Sequence, residues 1–112
     1  MNNYIPDRHD IVWIGLKPQK GREQAKRRPF LILSPREYNA KAGLLIGCPI
    51  TSKIKGHPFE VKISQPKEIN GAILADQIKS LDWKERNADF ITTTDPKITE
   101  QVITYIKLLL EG

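Results

Sequence analysis

The sequence predicts a mainly β fold of the α+β class, an antiparallel barrel or strongly curved sheet followed by one C-terminal helix. Three observations carry this. Five short runs of apolar or alternating residues fall between positions 11 and 78, and most of the connections between them are brief and turn-rich. Helical spacing of apolar side chains appears after position 95. A chain of 112 residues supplies one hydrophobic core, so residues 1–112 are read as a single domain.

The first run, residues 11–16, is β-branched and aromatic-rich and lies between Asp10 and Pro18, as a buried strand would. Phe30-Leu31-Ile32-Leu33-Ser34 is the second. Pro29 is tolerated at its start, because the first residue of a strand need not donate to the ladder. Leu44 to Ile50 is the third, introduced by Gly43. Phe59-Glu60-Val61-Lys62-Ile63 alternates apolar and charged, the pattern of a strand with one wet face. Gly71 introduces Ala72 to Ile78, a fifth candidate in which Asp76 and Gln77 interrupt an apolar run. Residues 82–86 fit a short helical turn around Trp83, and a brief extended piece follows near Phe90-Ile91-Thr92. Asp95 then caps a helix with Pro96 at its first position, where a missing N–H costs nothing. Ile98, Val102, Tyr105, Ile106 and Leu109 form its apolar stripe, widened by Ile103, Leu108 and Leu110. The extra width predicts deep packing, with a dimer interface as the alternative.

Eighteen Lys plus Arg stand against 13 Asp plus Glu, a net charge of +5. The hydrophobic share of 39% and charged share of 28% belong to a globular chain rather than a disordered one. One cysteine and two histidines exclude a disulfide framework and a structural zinc site. No apolar run reaches the length of a membrane span, and the first residues lack the features of a signal peptide, so a cytoplasmic location is expected.

The location of the charge is more informative than its size. Lys17, Lys20, Arg22, Lys26, Arg27 and Arg28 face a single acid, Glu23, so this one segment carries the whole excess. It lacks apolar periodicity and reads as a loop, either simply solvated or contacting phosphate. Arg28 sits where that loop enters a strand. Pro29 biases it toward an extended backbone, and a fixed guanidinium can clamp phosphate bidentately. Glu23, alone among cations, suits a base, a clamp for a nucleobase amino group, or an ion pair with a loop lysine. Thr51-Ser52-Lys53 sets two hydroxyls and an ammonium at a strand end, able to donate to phosphate oxygens or merely to complete a turn. Asp76 and Gln77 would need partners if buried. His9 and His57 read as solvent-facing loop histidines, and Cys48 as a small buried hydrophobe.

The motifs Gly21-x-Glu23-Gln24-Ala25-x-x-Arg28-Pro29, Leu33-Ser34, Cys48-Pro49-Ile50-Thr51, Pro58-Phe59-Glu60-Val61 and Ala75-Asp76-Gln77-Ile78-Lys79-Ser80 resemble those of the MazF/PemK (Kid) toxins over nearly the whole chain. The resemblance implies an SH3-like small barrel with a C-terminal helix, the fold shared with CcdB, assembled as a homodimer. It implies an mRNA interferase, a sequence-specific, metal-independent endoribonuclease without cofactors that cuts single-stranded RNA. A cognate MazE-like antitoxin would neutralise it, and operator DNA would be reached only through that antitoxin. Matched motif by motif, Arg28 and Thr51 would be catalytic and Glu23 an acidic loop residue that assists. Asp76 falls where the Kid branch has a functional aspartate. Gln24, Ser52, Lys53, Phe59 and Gln77 would bind RNA by reading base edges or stacking. Two rivals remain: a CcdB-like gyrase poison and a non-catalytic RNA-binding barrel.

Overall fold

The structure, a computed structural model, describes residues 3–15 and 27–112. Seven strands and two helices follow one another as β1 (Asp10–Gly15), β2 (Arg27–Ile32), α1 (Arg36–Ala42), β3 (Leu44–Thr51), β4 (Glu60–Ile63), β5 (Gly71–Leu74), β6 (Lys79–Asp82), β7 (Asp89–Thr93) and α2 (Pro96–Glu111). The sheet runs β4-β5-β3-β2-β1-β7, every described pairing is antiparallel, and β6 pairs with β3 beside β5. The predicted class holds: a curled antiparallel sheet with a C-terminal helix.

Why the central runs are uninterruptedly apolar follows from what lies on either side of them. Successive strand residues point to opposite faces, and here both faces are covered. Ile11, Leu31, Cys48 and Ile73 pack beneath Val102 and Ile106 of α2. Their neighbours Val12, Phe30 and Ile32 pack the other way, with Leu45, Leu81 and Trp83 under Tyr4 and Ile5. In β4 Val61 and Ile63 are buried and Lys62 is exposed, as the alternation predicts, but Glu60 is not on a wet face.

Asp95 caps α2 as expected, its carboxylate accepting from the Lys97 N–H at 3.0 Å with Pro96 next in line. The helix departs from expectation at its far end. Leu108, Leu109 and Leu110 are exposed, the last by 81%, so the widened stripe does not pack deeply within the chain. The fifth predicted strand also ends early. β5 stops at Leu74, and Asp76 and Gln77 stand exposed on a 3-10 turn, Ala75–Gln77, that bends the chain between β5 and β6. They need no buried partner because they are not buried. His9 is likewise more constrained than predicted, with a left-handed φ of 80° and its Nδ1 2.9 Å from the buried Thr99 hydroxyl.

Helix α1 escaped the sequence reading because its one buried side chain is polar, leaving no apolar period to detect. Asn39 lies at the centre of a buried network. Its Nδ2 donates to the carbonyls of Pro6 (2.8 Å) and Ser34 (3.1 Å), and its Oδ1 accepts from the Ser34 hydroxyl (2.6 Å). Its own carbonyl accepts from the Trp83 indole at 3.0 Å. Asn39→Ala would strand the carbonyls of Pro6 and Ser34 away from water, while the Ser34 hydroxyl keeps its contacts with Ile46. Urea denaturation should register a loss of about 3 kcal/mol, since each buried group left unpaired costs about 1–3 kcal/mol.

Candidate functional site

Strand β2 pairs with β1 from Arg27 opposite Gly15 to Leu31 opposite Ile11, but with β3 only from Phe30 to Ile32. Pro29 and Pro49 bring no N–H to the ladder at the point where it stops. Past Pro49, β3 is held from its other edge by β5, with Ile50 opposite Ile73 and Thr51 opposite Ala72. Carried two residues further, the Phe30–Pro49 register would set Arg28 opposite Thr51. The ladder ends first, and a cleft of about 450 Å³ opens there, lined by Trp13, Arg27, Arg28, Pro29, Ile50, Ser52, Ile69 and Asn70.

Its two arginines do different work. Arg27 is half-buried and engaged through one end of its guanidinium. One guanidinium nitrogen donates to the carbonyls of Trp13 (3.2 Å) and Asn87 (2.9 Å) and pairs with Asp89 at 2.6 Å, tying β2 to β7. Arg28 is exposed, and among the described residues its guanidinium has no hydrogen-bond or ion-pair partner. Its backbone is fixed by the strand, and no described residue competes with a ligand for its charge.

Thr51 is not among the residues that line the cleft: it is half-buried at the end of β3, between the lining residues Ile50 and Ser52, and its Oγ1 accepts from the Lys53 N–H at 3.1 Å. A threonine hydroxyl that accepts still has its own proton to donate. Ser52 beside it lines the cleft, and Lys53 follows on the exposed loop. Trp13, Pro29, Ile50 and Ile69 make an apolar floor under these polar groups. Such a floor suits a flat ring, and an exposed guanidinium with the Ser52 hydroxyl on the same cleft suits phosphate. Trp13, Ile69 and Asn70 were not among the residues predicted to line a site. Each looked like strand core or turn, and only the parting of β2 from β3 exposes them together.

Not all the predicted residues gather here. Glu23 and Gln24 lie outside the described residues. Phe59 packs edge-on against Tyr105 of α2, ring centroids 5.7 Å apart, and joins the core beneath that helix. Asp76 and Gln77 stand on the turn that packs against α2. Cys48 is buried, and burial, with the Asp76 charge adding to it, pushes its thiol up to about 12, so it does not offer a thiolate. Among the described residues no group of three His, Cys, Asp or Glu is placed to hold a metal ion, and no helix is long and apolar enough to cross a membrane.

Glu60 was predicted only as a wet-face strand residue, yet its side chain is just 3% exposed. Its Oε1 accepts from the Gly56 N–H (2.8 Å) and its Oε2 from the Lys55 N–H (3.1 Å), with His57 Nε2 at 3.4 Å. Burial alone would raise its carboxyl. The two amide donors, with the charges of His57 and Lys55, more than offset that and hold it below the usual carboxylate value.

A family model described as "PemK-like, MazF-like toxin of type II toxin-antitoxin system" matches residues 7–110. The chain is 40% identical over 110 residues to the endoribonuclease toxin MazF of Escherichia coli K12, covering 98% of both sequences. Among solved structures it is similar to MazF from Deinococcus radiodurans, with a TM-score of 0.87 and 40% identity over 98% of this chain and 100% of that one. The MazE–MazF complex from the same organism gives a TM-score of 0.88 and 40% identity over 97% of this chain and 98% of that one.

Proposed function

The chain belongs to the PemK-like, MazF-like family of type II toxin–antitoxin toxins, and from that premise we propose that it is an endoribonuclease toxin neutralised by a MazE-like antitoxin. One observation carries the reading to particular residues. Arg28, whose guanidinium has no partner among the described residues, and Ser52 line one cleft with an apolar floor, and Thr51 is the strand-end residue between Ile50 and Ser52 of that lining.

That set of groups suits cleavage of RNA by its own 2′-hydroxyl. The 2′-oxygen attacks the adjacent phosphorus, the bond from phosphorus to the 5′-oxygen breaks, and a 2′,3′-cyclic phosphate and a 5′-hydroxyl result. The reaction needs a proton acceptor, a donor to the leaving oxygen and stabilisation of a dianionic phosphorane. In this mechanism no metal ion takes part. Arg28 grips two non-bridging oxygens as negative charge builds on them, and the Thr51 hydroxyl donates to one of them. Glu23 assists removal of the 2′ proton, and the leaving 5′-oxygen takes its proton from water. Arg28 acts through its charge rather than as a proton donor, because a guanidinium does not give up its proton in this pH range. The nucleobase lies against Trp13 and Ile50, with Asn70 and Ser52 at its edge, and Lys53 meets the neighbouring backbone phosphate.

The same cleft would accept an acidic antitoxin segment in competition with RNA, in the cytoplasm. A second copy of the chain would cover the other open face, an apolar groove of about 440 Å³ between α1 and α2 that includes Tyr38, Ile78, Ile103 and Ile106.

Incubating the purified protein with mixed-sequence RNA in EDTA and mapping the ends tests the function. Discrete cuts bearing cyclic-phosphate and 5′-hydroxyl ends are expected. Intact RNA that is nonetheless bound would instead indicate a non-catalytic barrel. Trapped gyrase–DNA complexes without RNA cleavage would indicate a gyrase poison.

A further inference from the structure

Pro58-Phe59-Glu60-Val61 is the one motif behind the resemblance in which only the phenylalanine received a predicted role. From Ser52 to Pro58 the connection between β3 and β4 is exposed, and it carries Lys53, Lys55 and His57 within five residues. Like charges on an exposed loop favour many conformations over one. This loop is nevertheless tied at both ends. Thr51 Oγ1 holds the Lys53 N–H at one end, and the Glu60 carboxylate holds the Lys55 and Gly56 N–H groups at the other. The Glu60 N–H returns to the His57 carbonyl at 3.3 Å. Gly56 takes a left-handed φ of 78°, which lets two consecutive amides converge on one anion, the geometry of a backbone nest.

We propose that Glu60 is a positioning residue for substrate: by occupying that nest it presets the loop so that Lys53 and Lys55 stand ready beside Thr51 and Ser52 to take the RNA backbone next to the cut. This rests on the reading of the cleft as an RNA-cleaving site. Glu60 is held within the loop and acts on RNA only through the two lysines. Its loss should therefore weaken capture of RNA and leave the chemical step at Arg28 and Thr51 largely intact, because what is lost is prior ordering of the loop.

Two variants approach the device from opposite sides. Glu60→Ala removes the anion. Gly56→Ala leaves the anion but disfavours the left-handed backbone; a Cβ there meets nothing within 4 Å, so no clash confuses the result. Steady-state cleavage of a defined RNA should show KM raised about ten-fold in both, with kcat within about two-fold of the parent. In a Lys53→Ala, Lys55→Ala background, Glu60→Ala should add little further, since the groups it positions are already gone. Unchanged KM in both variants, a loss confined to kcat, or fully additive effects would each overturn the proposal. If Glu60→Ala fails to fold, Gly56→Ala decides alone. Parent protein that leaves RNA intact would overturn the underlying function instead, and so the two failures are distinguishable.

Discussion

Arg28→Lys should lower single-turnover RNA cleavage by about 100- to 1,000-fold, the usual cost of removing one preorganised charge-stabilising donor. The melting temperature should hardly move. Both halves follow from the setting of the side chain, which is exposed and without a partner among the described residues, so the fold loses no contact with it. Lysine keeps the charge and loses the planar fork. An ammonium meets one oxygen at a time, whereas the phosphorane presents two that must be held together. Cleavage by Arg28→Lys at the parent rate would remove the bidentate role. A matching fall in stability would show that Arg28 serves the fold, as the neighbouring Arg27 does through Asp89 and two carbonyls.

Gly71→Ala should damage the site and the fold at once, although residue 71 touches no substrate in the proposed mechanism. A Cβ placed there would lie 1.9 Å from the Thr51 carbonyl oxygen, 2.8 Å from its carbon and 3.1 Å from Ser52 Cα. All three are backbone atoms, so no side chain can swing aside. The end of β3 must move away from β5, and Thr51 and Ser52 move with it. Overpacking of this kind costs about 1–3 kcal/mol, and a shift of about 1 Å in a reacting group can cost about 100-fold in rate. The urea midpoint and the cleavage rate well below the unfolding transition would measure the two losses separately. Parent-like cleavage in a destabilised protein would place Thr51 outside the reaction.

How much of this was legible beforehand depended on whether a feature is made by residues or by a relationship between strands. The central strands were legible because both faces of β1, β2 and β3 are buried and their apolar runs are unbroken. The helix start was legible because Asp95 and Pro96 are a capping signal in themselves. Arg28 and Thr51 stood out through charge, strand-end position and family resemblance. The cleft that Arg28 lines did not, because it exists where the ladder between β2 and β3 ends, and no single residue encodes that. Trp13 and Asn70 join the site only through it. α1 was missed because its inward residue is asparagine, and β6 because most of it is exposed and polar. Glu60 was misjudged because alternation predicted water around a carboxylate that the loop amides in fact enclose.

One strand gives the molecule a further property. β3 is bonded to β2 along one edge and to β6 and then β5 along the other, so it pairs with three of the other six strands. The amides of such a strand exchange with solvent only when the whole domain opens, while short outer elements such as β4 and β7 can fray alone. Thr51 is the last residue of that strand. The catalytic end of the proposed site is thereby anchored in the last structure to exchange, and its geometry survives local openings that release the rim around it.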